Sequence, residues 1–258
     1  MDLATSLRTQ ITSQNLPYPS PSLLASLVST RSPPPPLPSL VATAKTRLLA
    51  CDLTTSELID PAQLPSFPAE ILPPAGANAQ EVPLRQNICV QVLDIENLAS
   101  SRWEQIEELE AIERGERTRG RQVIRVTGEE DEDDARGVAS AASARPSAGA
   151  GAGIAGKSAT HRLVVQDRSG NRVYAVELLR IPGLEIATIS IGCKLVLGAG
   201  CIVARGTVLL TPETCLVLGG KIESWHDVWV AGRMARLKEI VGAGSTSAWQ
   251  NVNHGLLL

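Results

Sequence analysis

The sequence predicts an α+β chain: a small bundle of helices, then a curled β-barrel with a long insertion after its first strand and a helix at its C-terminal end. Between Gly192 and Ile222, short apolar segments are cut by glycines, by Arg205-Gly206 and by Thr211-Pro212-Glu213, the punctuation of tight β turns and strand ends. Before Asp60, leucines recur at helical spacing between prolines. Between the first barrel strand and the next, residues 97–159 change from glutamate- and arginine-rich to Ala/Gly-rich, which suits no sheet.

Residues 1–60 read as the bundle. A helix over Leu3–Gln14 stops at Asn15-Leu16-Pro17. Ser20 offers an N-cap with Pro21 at the first helical position, where its missing N–H is harmless. Leu23, Leu24, Leu27 and Val28 follow at helical spacing, and the Pro33–Pro36 run breaks that helix. Ser39 is placed to cap a third helix carrying Leu40, Val41, Ala44, Leu48 and Leu49, and Thr54-Thr55-Ser56-Glu57 fits a capping box for one more turn. Helices this short are marginal alone and must pack on a neighbour. Six prolines over 61–83 predict an extended linker.

The barrel is expected over 84–242. Ile88, Val90 and Val92 share one strand face, with Cys89, Gln91 and Leu93 on the other. The insertion, 97–159, opens with a helix over Ser101–Glu116 in which Trp103, Ile106, Leu109 and Ile112 recur every third residue. It continues through Arg114, Arg117, Arg119, Arg121 and Arg125, the acidic run Glu129–Asp134 and the low-complexity tract Ala135–Ala159. Such composition predicts disorder over most of 127–159. His161–Val165 and Arg172–Leu179 form a hairpin across Asp167–Asn171, with Tyr174, Val176 and Leu178 on one face; Ile181–Ser190 is an irregular crossing. Lys194–Ala204 reads as one strand bent at Gly198 and Gly200, followed by a two-residue turn at Arg205-Gly206 and strands at Val208–Leu210 and Leu216–Leu218. Ser224 and Asp227 open a last helix with Val230, Met234, Leu237 and Val241 on one face and Gly242 as its stop, leaving 243–258 a loose tail. Five or so short strands, glycine bends and a terminal helix fit an OB-type Greek-key barrel.

Composition narrows the chemistry. Apolar residues make up 43% but aromatics only 3%, so the core is aliphatic, and a net charge of −3 gives no whole-chain field that draws nucleic acid. Five cysteines without a C-x-x-C pair and three scattered histidines point to reduced thiols in an intracellular protein, with no metal or other cofactor. The start, MDLATSLRTQ, has no apolar signal core, and no apolar run approaches the roughly 20 residues that span a bilayer. Gly151–Ser158, GAGIAGKS, matches the phosphate-loop pattern, but the ASARPSAGA before it is no strand and the THRLVVQD after it is no helix. No nucleophile elbow or zinc-protease motif is present, so no catalytic activity is expected. Glu129–Asp134 lacks the glycine turn and ligand alternation of a calcium loop. Between Leu84 and Ile222 the aromatic residues are Tyr174 and Trp103, too few platforms for a reader of single strands. What remains is protein binding through the insertion's helix and its arginines, with Trp103, Ile106 and Leu109 packing on their own barrel as an equal alternative that is compatible with it.

Gly206-Thr207-Val208-Leu209-Leu210-Thr211-Pro212-Glu213 runs into Val217-Leu218-Gly219-Gly220, behind a helical N-terminus and a barrel with a long insertion. Over roughly residues 20–242 this resembles the RecQ-mediated genome instability protein 1 family in its short, single-barrel fungal form. The resemblance implies a nuclear, non-enzymatic subunit of a RecQ helicase–topoisomerase III complex. Such a subunit binds the topoisomerase with its barrel and reaches the DNA gate with its insertion, favouring decatenation and dissolution of double Holliday junctions. It touches DNA weakly or through the complex, and no membrane. The candidate partner-binding residues are then Trp103, Ile106, Leu109, Arg114, Arg117, Arg119, Arg121, Arg125, Pro212, Glu213, Gly219 and Gly220. A stand-alone single-strand binder and a scaffold of another complex are the alternatives.

Overall fold

The computed structural model describes residues 2–115 and 159–253, with side chains as far as 242. Arg117, Arg119, Arg121 and Arg125, the acidic run 129–134, the tract from 135 to 158 and the phosphate-loop match at 151–158 lie outside the described residues.

Three helices form the N-terminal bundle: α1 (Leu3–Ser13), α2 (Pro21–Ser29) and α3 (Leu37–Ala50). Ser20 caps α2 as its sequence predicts, its Oγ accepting from Leu23 N–H at 3.2 Å. Ser39 does not cap α3. That helix starts two residues earlier, because Pro38 sits in the first turn, where a missing N–H leaves nothing unsatisfied. The capping box expected at 54–57 is also absent: Asp52 Oδ1 accepts from Thr54 N–H at 2.9 Å and its carboxylate takes both threonine hydroxyls. This local turn competes with a helix and wins.

Residues 61–83 are not an extended linker. They fold as three single 3₁₀ turns, Pro61–Gln63, Ala69–Ile71 and Ala75–Ala77, and end in β1 (Val82–Pro83). Phe67 and Ile71 are buried in the barrel core, and Phe67 N–H donates to the buried Asp167 carboxylate at 2.8 Å. Two apolar anchors outweigh the stiffness of the prolines between them.

The remaining strands are β2 (Ile88–Asn97), β3 (His161–Gln166), β4 (Arg172–Glu177), β5 (Lys194–Leu197), β6 (Ile202–Ala204), β7 (Thr207–Leu210) and β8 (Cys215–Gly219). One curled sheet orders them β1-β6-β7-β4-β3-β2-β5-β8, and β4 with β7 is its parallel pair. This is a helical bundle followed by an OB-like half-barrel. The stretch expected as one bent strand, Lys194–Ala204, is two. β5 pairs with β2 and β8, whereas β6 pairs with β1 and β7. Gly200 turns the corner at φ +90°, and Leu84 exchanges two hydrogen bonds of 2.8 Å with Cys201 and Gly200 across the gap. The β6–β7 hairpin turns on Arg205 (φ 48°) and Gly206 (φ 75°), the two positive φ values of a type I′ turn.

β2 serves two cores. Ile88, Val90 and Val92 face the barrel interior, while Cys89 packs with the bundle's leucines. Beside it Gln91 is fully buried and satisfied: Nε2 donates to Asp52 Oδ1 at 2.7 Å and Gln166 Oε1 at 3.0 Å, and Oε1 accepts from Leu53 N–H at 3.0 Å.

The last helix, α5, runs Glu223–Asn253. Ser224 lies inside it rather than capping it, and Gly242 does not stop it. A glycine in a helix interior costs about 1 kcal/mol, which is not termination by itself. The buried anchor is Trp229, whereas Val230, expected on the packed face, is 38% exposed.

Candidate partner interface at the root of the insertion

The insertion leaves β2 and returns to β3 at adjoining points. Asn97 pairs with His161, and Leu98 N–H donates to Thr160 O at 2.8 Å. The return is pinned inside the barrel by His161 Nδ1 against Glu177 Oε2 at 2.7 Å, both residues buried, with Glu177 Oε1 accepting Ile181 N–H at 2.6 Å.

The departing chain forms α4 (Arg102–Glu113). Its start is a full capping box: Ser101 Oγ accepts from Glu104 N–H, and Glu104 Oε2 accepts from Ser101 N–H at 2.7 Å. That backbone bond, joined by the Ser101 and Ser100 hydroxyls, holds the Glu104 carboxyl below its ordinary range. Gln105 Nε2 donates to Asn97 O and Ser100 O, tying α4 to the end of β2. Ile106 is 3% exposed. α4 packs against α5, where Lys238 Nζ meets Glu110 Oε1 at 2.7 Å and holds that carboxyl below its ordinary range. α5 is in turn fixed to the barrel by Trp229 Nε1–H donating to Asp94 Oδ1 at 2.6 Å, with the Arg233 and Arg236 guanidinium groups over the Trp229 ring.

The candidate residues divide among three places. On α4, Trp103 is 63% exposed, Ile106 is buried, Leu109 is half-buried and Arg114 is exposed with Nη1 3.9 Å from Glu110. A three-residue repeat slips by about 60° per step on a helix of 3.6 residues per turn, so Trp103 and Ile112 lie on opposite sides and the expected stripe does not exist. Pro212 and Glu213 are exposed on the β7–β8 turn, where the residue's own N–H, then the Thr211 hydroxyl, lowers the Glu213 carboxyl's pKa. Gly219 ends β8 and Gly220 follows it, at φ 85° and 95°. A Cβ on Gly220 would lie 2.3 Å from Leu49 O, so this glycine lets β8 approach α3. Sequence reasoning missed Gln105, Asp94, Trp229 and Lys238; the readable signal was Ser101-x-x-Glu104 and the Trp225/Trp229 spacing.

The titratable groups offer little chemistry. All five thiols are free, and burial pushes Cys89 and Cys215 up to about 12 and Cys193 to about 11, so they stay protonated and unreactive. Among the described residues no group of three or more His, Cys, Asp or Glu is placed to hold a metal, and no helix is long and apolar enough to cross a membrane.

The chain matches the family model described as RMI1, N-terminal OB-fold domain, over residues 67–233, and that described as RMI1, N-terminal helical domain, over residues 11–56. It is 27% identical over 165 residues to RecQ-mediated genome instability protein 1 of Schizosaccharomyces pombe. That match covers 62% of this chain and 66% of the relative, just under two thirds of the relative's length.

Proposed function

The chain belongs to the RMI1 family, and from that premise we propose that it is a non-catalytic, nuclear subunit of a RecQ helicase–topoisomerase III assembly in genome maintenance. It binds the topoisomerase, and its insertion acts on the enzyme's gate to promote decatenation and dissolution of double Holliday junctions. The observation that supports this reading is the insertion's ordered root: a capped helix packed on α5, which is itself bonded to the barrel. A reaching segment shifts a gate equilibrium only by its differential affinity for the two gate states, and a fixed root limits the entropy lost when it engages. Trp103 and Arg114 are exposed on that root. Arg117, Arg119, Arg121 and Arg125 follow it in sequence and are assigned to the same contact.

The test replaces 116–157 with a short Gly-Ser link, leaving α4 in place. The Leu98–Thr160 bond fixes where the insertion meets the barrel, so a link long enough to return along the 12-residue α4, about 18 Å, leaves the sheet as it is. Decatenation by topoisomerase III is then measured with the altered and unaltered chains. Loss of stimulation with retained fold is the expected result, and unchanged stimulation refutes the role of the insertion. Tight oligonucleotide binding by the chain alone would instead favour a stand-alone single-strand binder.

A further inference from the structure

Successive residues of β4 alternate across the sheet. Val173, Ala175 and Glu177 are buried, whereas Tyr174 and Leu178 are 52% and 55% exposed and Val176 lies half-covered between them. The parallel neighbour sets Thr207 beside Tyr174 and Leu209 beside Val176, and Leu178 N–H extends the ladder to Leu210 O at 2.9 Å. On the other side, Val164 stands opposite Tyr174. The outer face of β3, β4 and β7 is therefore a largely aliphatic stripe. Where the same outer face continues onto β2 and the end of β3, the bundle covers it: Cys89, Gln91 and Gln166 are all buried there. Among the described residues nothing comparable lies over Tyr174 to Leu178, and a contiguous apolar face of this kind marks a binding surface more often than an idle one.

The border of the stripe is basic. Arg162 is held by Glu96 at 2.6 Å and Arg180 by Glu185. Arg172, two residues before Tyr174, and Arg205, two residues before its partner Thr207, are both exposed. We propose that this face docks a protein surface of apolar side chains edged with carboxylates, which meet Arg172 and Arg205. A nucleic acid fits less well. The Arg162 guanidinium already lies 5.1 Å from the Tyr174 ring centroid, covering the π face a base would need, and aliphatic side chains offer no stacking. The docking face adjoins the place where the insertion rejoins the sheet, since Val176 pairs with Arg162 and Leu98 N–H bonds Thr160 O, so it extends the contact made at the insertion's root.

The proposal rests on the assembly reading above, so purified topoisomerase III is the probe. Calorimetric titration compares the full chain with its Leu178→Glu variant and with the double variant Arg172→Glu/Arg205→Glu. All three side chains are exposed, and retained fold is verified by circular dichroism and the urea midpoint. Leu178→Glu should weaken binding by about tenfold or more, as expected at an interface anchor. The arginine reversals should weaken it by a factor that shrinks as salt is added. No binding by the unaltered chain overturns the assembly reading and this proposal with it. Equal binding by the unaltered and Leu178→Glu chains overturns this proposal alone and leaves the assembly standing. Oligonucleotide affinity that Tyr174→Ala abolishes, or self-association in sedimentation that Leu178→Glu abolishes, assigns the face to nucleic acid or to a second copy and also overturns it.

Discussion

A methyl group on Gly220 would sit 2.3 Å from the Leu49 carbonyl oxygen, in a backbone already at φ 95°; on Gly219, at φ 85°, it would meet nothing within 4 Å. Two adjacent glycines that look alike in sequence therefore do different work. Gly219→Ala is expected to cost about 1–2 kcal/mol, the left-handed strain alone. Gly220→Ala should cost about 3 kcal/mol or more, because backbone must also move. Urea denaturation of the two variants measures the difference, and equal losses would contradict the close approach. Lys194 is the other informative residue. It is fully buried at the joint between bundle and barrel, Nζ donates to Gly192 O at 2.6 Å, and burial lowers its pKa from the ordinary 10.5. A lysine with a lowered folded value penalises the fold at every pH where the unfolded chain keeps that lysine charged. The penalty is full below the folded value and fades as pH climbs from there to 10.5. Lys194→Met is expected to gain about 1–3 kcal/mol near neutral pH, an advantage that disappears toward the upper end of that interval. Urea melts of both proteins at stepped pH give this directly, since the thiols common to both largely cancel. A Lys194→Met protein less stable than the parent at neutral pH would show that the charge is compensated where it sits.

At the scale of elements, α4 is held in place by a few residues. It is capped by Ser101, its buried side chains are Gln105 and Ile106, and its link to Lys238 is exposed and weak. Ile106→Ala is expected to destabilise by about 2–4 kcal/mol and to free α4 before the barrel unfolds. Hydrogen exchange should then rise across 102–113 while β2 and β5 stay protected; a uniform rise would mean that α4 folds and unfolds with the barrel as one unit. The same element decides the insertion experiment. Removing 116–157 while α4 remains tests the reach of the segment and not the integrity of its base. The β4–β7 pairing matters in another way: the two strands run parallel because the chain between them crosses through Ile181–Cys193 and returns along β5 and β6, and that crossing supplies the buried Ile181, Leu184, Ile189 and Ile191 to the barrel core.

For the whole molecule, the helical bundle, the barrel with its terminal helix and the Arg205-Gly206 hairpin were legible in the chain. Each depends on local rules: apolar period and proline and glycine placement. The division of Lys194–Ala204 into two strands was not legible. A glycine bend and a glycine break look alike until it is known that β5 and β6 pair with different neighbours. Phe67 and Ile71 were equally hidden, since a proline-rich stretch becomes part of a core only when a core stands beside it. The site was half readable. Exposed Trp103 and Arg114 could be named from composition, whereas the clamp of Gln105, Trp229, Asp94 and Lys238 joins residues as far as 135 positions apart. What the sequence by itself determined is which segments turn, which run straight and which family they spell, because these depend on neighbours within a few residues. Only the tertiary structure decided which glycine is a joint, which lysine is buried and which face of β4 the described residues leave open, because each of those depends on what another part of the chain places against it.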